Sequence, residues 1–115
     1  MGDKKRSKHL KQALKDEDSI EIFIWKMLAD HRKRTKARYY SNCTQRLTVS
    51  PIYIYNQSGV KKTQIIINAI TQFREKLTET TFEKALEELE NEGIIYQEDN
   101  IWHDNEDFDL PTFEE

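Results

Sequence analysis

The sequence is short of the residues that build covalent or ligand-held scaffolds. It has a single cysteine, Cys43, among 115 residues. An internal disulfide is excluded, and a lone thiol fits a reducing compartment. Its three glycines, Gly2, Gly59 and Gly93, are too few and too dispersed for a phosphate-binding loop. There is no long internal repeat and no low-complexity linker, so a second domain has no support. No apolar run approaches the roughly 18 residues that a membrane span needs, and no membrane partner is expected. The N-terminal stretch is charged from Asp3 to Lys15 without an apolar h-region, so a secretory signal is not expected. These features predict an intracellular protein, cytoplasmic or, in a eukaryotic cell, nuclear.

The chemistry of reactive sites is equally thin. His9, His31 and His103 stand far apart in sequence, as does Cys43, and no pair has zinc-site spacing. Neither a metal nor a cofactor is expected. No Ser or Cys lies in a recognisable nucleophile elbow. Glu87, Glu88 and Glu90 read as a solvated helix face, and His103 beside Asp104 as a chance neighbour pair. No enzymatic activity is expected.

What the chain has in abundance is charge, unevenly placed. The formal net charge is −3. Residues 1–76 hold 17 Lys+Arg against 7 Asp+Glu, whereas residues 77–115 hold 1 against 14. This division suggests a basic surface for a polyanion and an acidic tail; solvated charge that only favours solubility is the plainer alternative. Residues 1–17 read as a basic arm, with Lys4, Lys5, Arg6 and Lys8 as candidate phosphate contacts. Asp18-Ser19 is placed to cap a first helix from about Ile20 to about Lys36. Ile20, Phe23, Ile24, Met27 and Leu28 make one apolar stripe on it. Ile22, Trp25 and Ala29 lie nearly opposite. A helix apolar on two sides is either central to its fold or meets a partner, and a homodimer through Ile22, Trp25 and Ala29 is the simplest such partner. The helix runs into Arg32, Lys33, Arg34, Lys36 and Arg38, followed by Tyr39 and Tyr40. Cations neutralise phosphate and tyrosines stack on bases or sugars, so this run is the main candidate for a nucleic-acid contact. The alternative is a solvated helix end whose cations complement the helix dipole.

Ser41 to Gln45 reads as a loop. Leu47, Val49 and Ile52 to Tyr55 are strand formers interrupted by Pro51. A turn follows at 56–59. Val60 or Thr63 to Leu77 reads as a second helix with Ile65, Ile66, Ala69, Ile70, Phe73 and Leu77 on its buried stripe. Lys61 and Lys62 are left for solvent or phosphate. Phe82, Ala85, Leu86 and Leu89 follow the i, i+3, i+4, i+7 spacing of a third helix. Thr80 and Glu83 suit a capping box at its start, and Gly93 suits its end. Ile94 to Tyr96 reads as a strand, Glu98-Asp99-Asn100 as a turn, and Ile101-Trp102 as the returning strand.

The order is helix, strand, helix, turn, helix, strand, strand, which is that of a winged helix. The expected fold is α+β, mainly α. Residues 18–103 form the winged-helix domain, between the basic arm and an acidic tail over 104–115. Phe82, Ala85, Leu86, Leu89, Gly93, Ile95, Tyr96 and the Glu98 to Asn100 turn carry a local resemblance to known families. The segment is similar to the C-terminal winged helices of the middle subunit of replication protein A and of minichromosome-maintenance helicases. The resemblance covers about 25 residues and is mostly core pattern. It implies a DNA-binding regulator of transcription or of DNA replication, or a protein-interaction module. In a DNA-reading winged helix the third helix enters the major groove. Here its outward residues are mostly Glu, leaving Lys84 and nearby threonines as its only contacts. Duplex DNA bound through basic patches is therefore the first functional expectation. The alternative is an interaction module that uses the acidic third helix and the tail, where Phe108, Leu110 and Phe113 alternate with acids. The tail is also able to fold back over its own basic surface.

Overall fold

The computed structural model describes residues 8–43 and 58–113, with the side chains of 39–43 excepted. The expected contacts at Lys4, Lys5 and Arg6, and the strand expected between Leu47 and Tyr55, lie outside the described residues. Among the described residues, four α-helices and a three-stranded antiparallel sheet follow one another as α1 (Lys8–Ala13), α2 (Ile20–Cys43), β1 (Val60–Lys61), α3 (Lys62–Phe73), α4 (Glu79–Asn91), β2 (Ile95–Glu98) and β3 (Ile101–Asp104). This mainly helical α+β order is compatible with a winged helix, with the last two strands placed as in a wing. None of the described helices is long and apolar enough to cross a membrane.

The described part of the expected basic arm includes a helix, Lys8–Ala13. Leu10, Ala13 and Leu14 are buried in the core although lysines surround them in sequence. Ser19 then makes the corner. Its hydroxyl donates to the Ala13 carbonyl at 2.7 Å and accepts from the Ile22 amide at 3.2 Å, so it caps α2 and ties it to the end of α1. With neither Gly nor Pro between Ser19 and Cys43, α2 continues through Lys36 to Cys43, and Ser41–Cys43, expected as loop, are helical.

α2 is buried on two sides by its own chain. Ile24 and Leu28 are buried on one flank, and Ile22, Trp25 and Ala29 on the other, each of the latter three at 3 % exposure. This corrects the expectation that Ile22, Trp25 and Ala29 meet a second copy: they have no surface left to offer one.

The buried stripe of α3 is narrower than its periodicity suggests. Ile65 and Ala69 are buried and Ile66 half-buried, but Ile70 is 51 % exposed. Phe73 meets Phe23 of α2 edge-on, with ring centroids 5.4 Å apart. The helix starts at Lys62 because Val60–Lys61 is strand, paired with Ile101 and Trp102. α4 is capped two residues earlier than expected, at Thr78 instead of Thr80. The Thr78 hydroxyl accepts from the Thr81 amide, and the Thr81 hydroxyl accepts from the Thr78 amide, a reciprocal box without Glu83. Phe82, Ala85, Leu86 and Leu89 are all buried.

Gly93 ends α4 at φ +77. The Ile94 amide donates to the Leu89 carbonyl and the Gly93 amide to that of Glu90, a Schellman closure. Asp99 (φ 53) and Asn100 (φ 66) form the two-residue turn of the β2–β3 hairpin, both in the left-handed region that a type I′ turn requires. The sheet order is β1-β3-β2, so β3 is central. Gly59 passes directly over it. A Cβ there would stand 2.2 Å from the Ile101 Cγ2 and 2.6 Å from the His103 Cε1. Gly59→Ala is expected to lower stability by about 1–3 kcal/mol, the usual cost of overpacking, measured by denaturant unfolding with an unchanged m-value.

Candidate nucleic-acid interface

The basic run of α2 is split by helix geometry into two groups with different surroundings. Arg32 and Lys36, one turn apart, face the C-terminal segment. Arg32 Nε donates to Asp104 Oδ1 at 2.8 Å and its Nη2 donates to Oδ2 at 2.9 Å. The Asp104 side chain is 2 % exposed and that of Arg32 17 %. Lys36 donates to Glu106, whose carboxylate also lies 3.5 Å from Arg32 Nη1. The Asp104 hydrogen bond raises the Arg32 pKa, chiefly against the effect of burial. The hydrogen bond from Lys36 holds the Glu106 carboxyl below the usual carboxylate range. These are structural ion pairs, and Arg32 in particular is occupied, contrary to the expectation that it meets phosphate.

Lys33, Arg34 and Arg38 are exposed, and none has an ion-pair partner among the described residues. At about 100° per residue they span roughly 140° of one flank of α2, with Ala37 between them also exposed. Arg34 borders a cleft between α2 and α3, but Glu17, Asp18 and Asp30 line it too and make it a poor place for phosphate. Tyr39 and Tyr40 continue the helix beyond Arg38. Lys8 and Lys61 are exposed on α1 and β1. Lys62 is tied to Glu83 of α4 at 2.6 Å. Lys84 is exposed on α4 and borders a cleft shared with His9 and Thr81.

The surfaces that a winged helix would ordinarily turn to DNA are acidic. On α4, Glu83, Glu87 and Glu90 are exposed, as are Glu98 and Asp99 at the tip of the β2–β3 hairpin. Sequence inspection anticipated the first of these and missed how Asp104 and Glu106 divide the α2 cations. The signal was present in the opposite signs of the two segments, but their contact spans about 70 residues of chain. The apolar residues of the acidic segment also point home: Phe108, Leu110 and Phe113 pack, half-buried, against the core.

His103, beside Asp104 on β3, is buried and stacks on Tyr96 with centroids 5.4 Å apart. Burial lowers its pKa below 6.5, although the charges of Glu98 and Asp104 act in the opposite direction. The folded state thus resists protonation where the unfolded chain accepts it. Stability is expected to fall as pH drops below about 6.5, by at most about 1.4 kcal/mol per pH unit, and His103→Gln should flatten that slope in urea titrations between pH 7 and 5. Arg32→Ala, which strands the buried Asp104 charge, should cost about 3–5 kcal/mol, whereas Arg32→Met with Asp104→Leu should recover much of that loss; thermal unfolding of the three proteins checks this.

Comparison with known proteins finds no matching family model, no matching curated protein and no matching solved structure.

Proposed function

We propose that the chain is a winged-helix DNA-binding protein, a small regulator of transcription or replication, that meets duplex phosphates through the outward flank of α2 and not through α4 and the wing. The observation that supports this reading is the flank itself. Lys33, Arg34 and Arg38 stay exposed and unpaired with carboxylates among the described residues, in a basic run whose other two cations, Arg32 and Lys36, are held by Asp104 and Glu106. Contacts of this kind are to the phosphate backbone, so they set affinity and position without reading sequence. The exposed carboxylates on α4 and the hairpin tip, Glu79, Glu83, Glu87, Glu90, Glu98 and Asp99, would repel the same backbone.

A second reading is a winged-helix module that binds protein. The acidic outer face of α4 favours it. The C-terminal segment does not add to it, because Phe108, Leu110 and Phe113 are already packed against the chain's own core.

Salt-dependent binding to duplex DNA, alongside single-stranded DNA and RNA, separates the two. The DNA reading expects affinity that falls steeply with salt. Lys33→Glu, Arg34→Glu and Arg38→Glu together should reduce the slope of log K against log salt by about 3, the value for three phosphate contacts. Glu106→Gln releases Lys36 and removes a carboxylate from the edge of the same surface. It should tighten binding, most clearly at low salt where screening is least. Absence of salt-dependent duplex binding at ~50 mM salt, or a slope unmoved by the triple substitution, rejects the DNA reading.

A further inference from the structure

Three helices converge on a group of side chains that the DNA reading does not use. Glu21, in the first turn of α2, is 4 % exposed although it carries a carboxylate. Its Oε2 lies 2.8 Å from His9 Nε2 on α1. Glu88 comes from α4, and one ligand atom from each of the three residues lies within 4.8 Å of the other two. Glu88 Oε2 is buried and has no hydrogen-bond partner among the described residues. Two carboxylates therefore share a poorly solvated space with one imidazole. Carboxylates this close repel, and the burial of Glu21 and of Glu88 Oε2 limits the screening that water would give them. A buried oxygen without a partner adds a desolvation cost of its own. A single imidazole N–H satisfies one oxygen and leaves the other carboxylate unanswered.

We propose that His9, Glu21 and Glu88 bind a divalent transition-metal ion, with Zn2+ as the type case. One imidazole nitrogen and two carboxylate oxygens are donors that zinc accepts, whereas Mg2+ and Ca2+ favour oxygen alone. Zinc bonds of about 2.0–2.2 Å put tetrahedral donor atoms about 3.3 Å apart. The present set is somewhat wider, and it closes by rotation of His9, whose side chain is 54 % exposed, and of the partly exposed Glu88. His9 and Glu21 open onto a cleft bordered by Asp16, Ser19, Phe73 and Lys84. That cleft gives the ion a way in and a water room to serve as fourth ligand. The expectation of no metal rested on spacing along the chain. This set is assembled from three helices, with residues too far apart for any spacing rule to find. A bound ion would fasten α1 to the body of the protein.

The test is titration of the full chain, stripped with a chelator, by ZnCl2 in a calorimeter, with thermal unfolding in parallel. Cys43→Ser serves as the background, to remove the one thiol as a competing ligand. The expected result is one saturable site, a melting temperature that rises with Zn2+, and Co2+ absorption bands typical of a mixed nitrogen–oxygen site. His9→Gln and Glu88→Gln should each weaken binding by more than about tenfold, the scale on which even outer-shell partners act. Both residues lie near the surface, so the fold is kept. Glu88→Gln should leave the metal-free melting temperature equal or higher, because it removes one of two repelling charges. No saturable binding at ~100 μM Zn2+, a concentration well above micromolar affinity, overturns the proposal. So does binding that survives both substitutions.

Discussion

Arg32 of α2 and Asp104 of β3 meet in two parallel hydrogen bonds that are almost sealed from water. A guanidinium and a carboxylate match one another in this fork-to-fork geometry better than any other pair of side chains. The cost of desolvating both charges is large, so such a pair is a poor source of stability but a strict specifier of position. Here it fixes the rotation of α2 relative to the sheet. With Arg32 aimed at Asp104, Ile24 and Leu28 are set toward the core, and Lys33, Arg34 and Arg38 have nowhere to point but outward. The exposed cationic flank is thus a by-product of how one internal arginine is satisfied.

The same contact gives meaning to the charge imbalance between the two parts of the sequence. Net charge counts cations and anions without regard to who meets whom. In the folded chain the acidic segment consumes part of the basic one: Asp104 and Glu106 take Arg32 and Lys36, and Glu83 takes Lys62. What remains is a smaller positive surface on α2 and a negative one on α4 and the hairpin tip. A polyanion approaching this molecule meets both signs, and orientation matters more than total charge.

Some of this was legible in the sequence for clear physical reasons. Phe82, Ala85, Leu86 and Leu89 announced α4 because an amphipathic helix must repeat at its own period. Gly93 announced its end because few other residues tolerate that backbone region. The polar Asp99-Asn100 pair announced the hairpin in the same way. What failed was most inference that needed to know what lies across from a residue; the folding back of the acidic segment over basic residues, weighed on charge alone, is seen at Arg32 and Lys36. Trp25 and Ile70 are both apolar residues at helical positions, yet Trp25 is buried by its own chain and Ile70 is half in water. Periodicity says that a face is apolar; it does not say what covers it. Leu10 and Leu14 carried a fair signal, an i, i+4 pair, but the surrounding lysines drew attention to charge instead. The candidate site was less legible than the fold. The basic run was visible, but its division into paired and unpaired cations depends on a segment about 70 residues away.

The central strand of the sheet is also its last in sequence. β1, at Val60–Lys61, has β3 as its only described neighbour, and it cannot form until Ile101 and Trp102 arrive. The β2–β3 hairpin, by contrast, closes locally through its two-residue turn. The helices and the hairpin are able to form from neighbours in sequence, whereas β1 waits for β3. Closing that longer loop has an entropic cost that grows slowly with length, and it delays the pairing of β1 more than it weakens it. A ribosome delivers β1 first. The apolar flanks of α2 emerge early, and their set of partners is completed only when the last strand has been made.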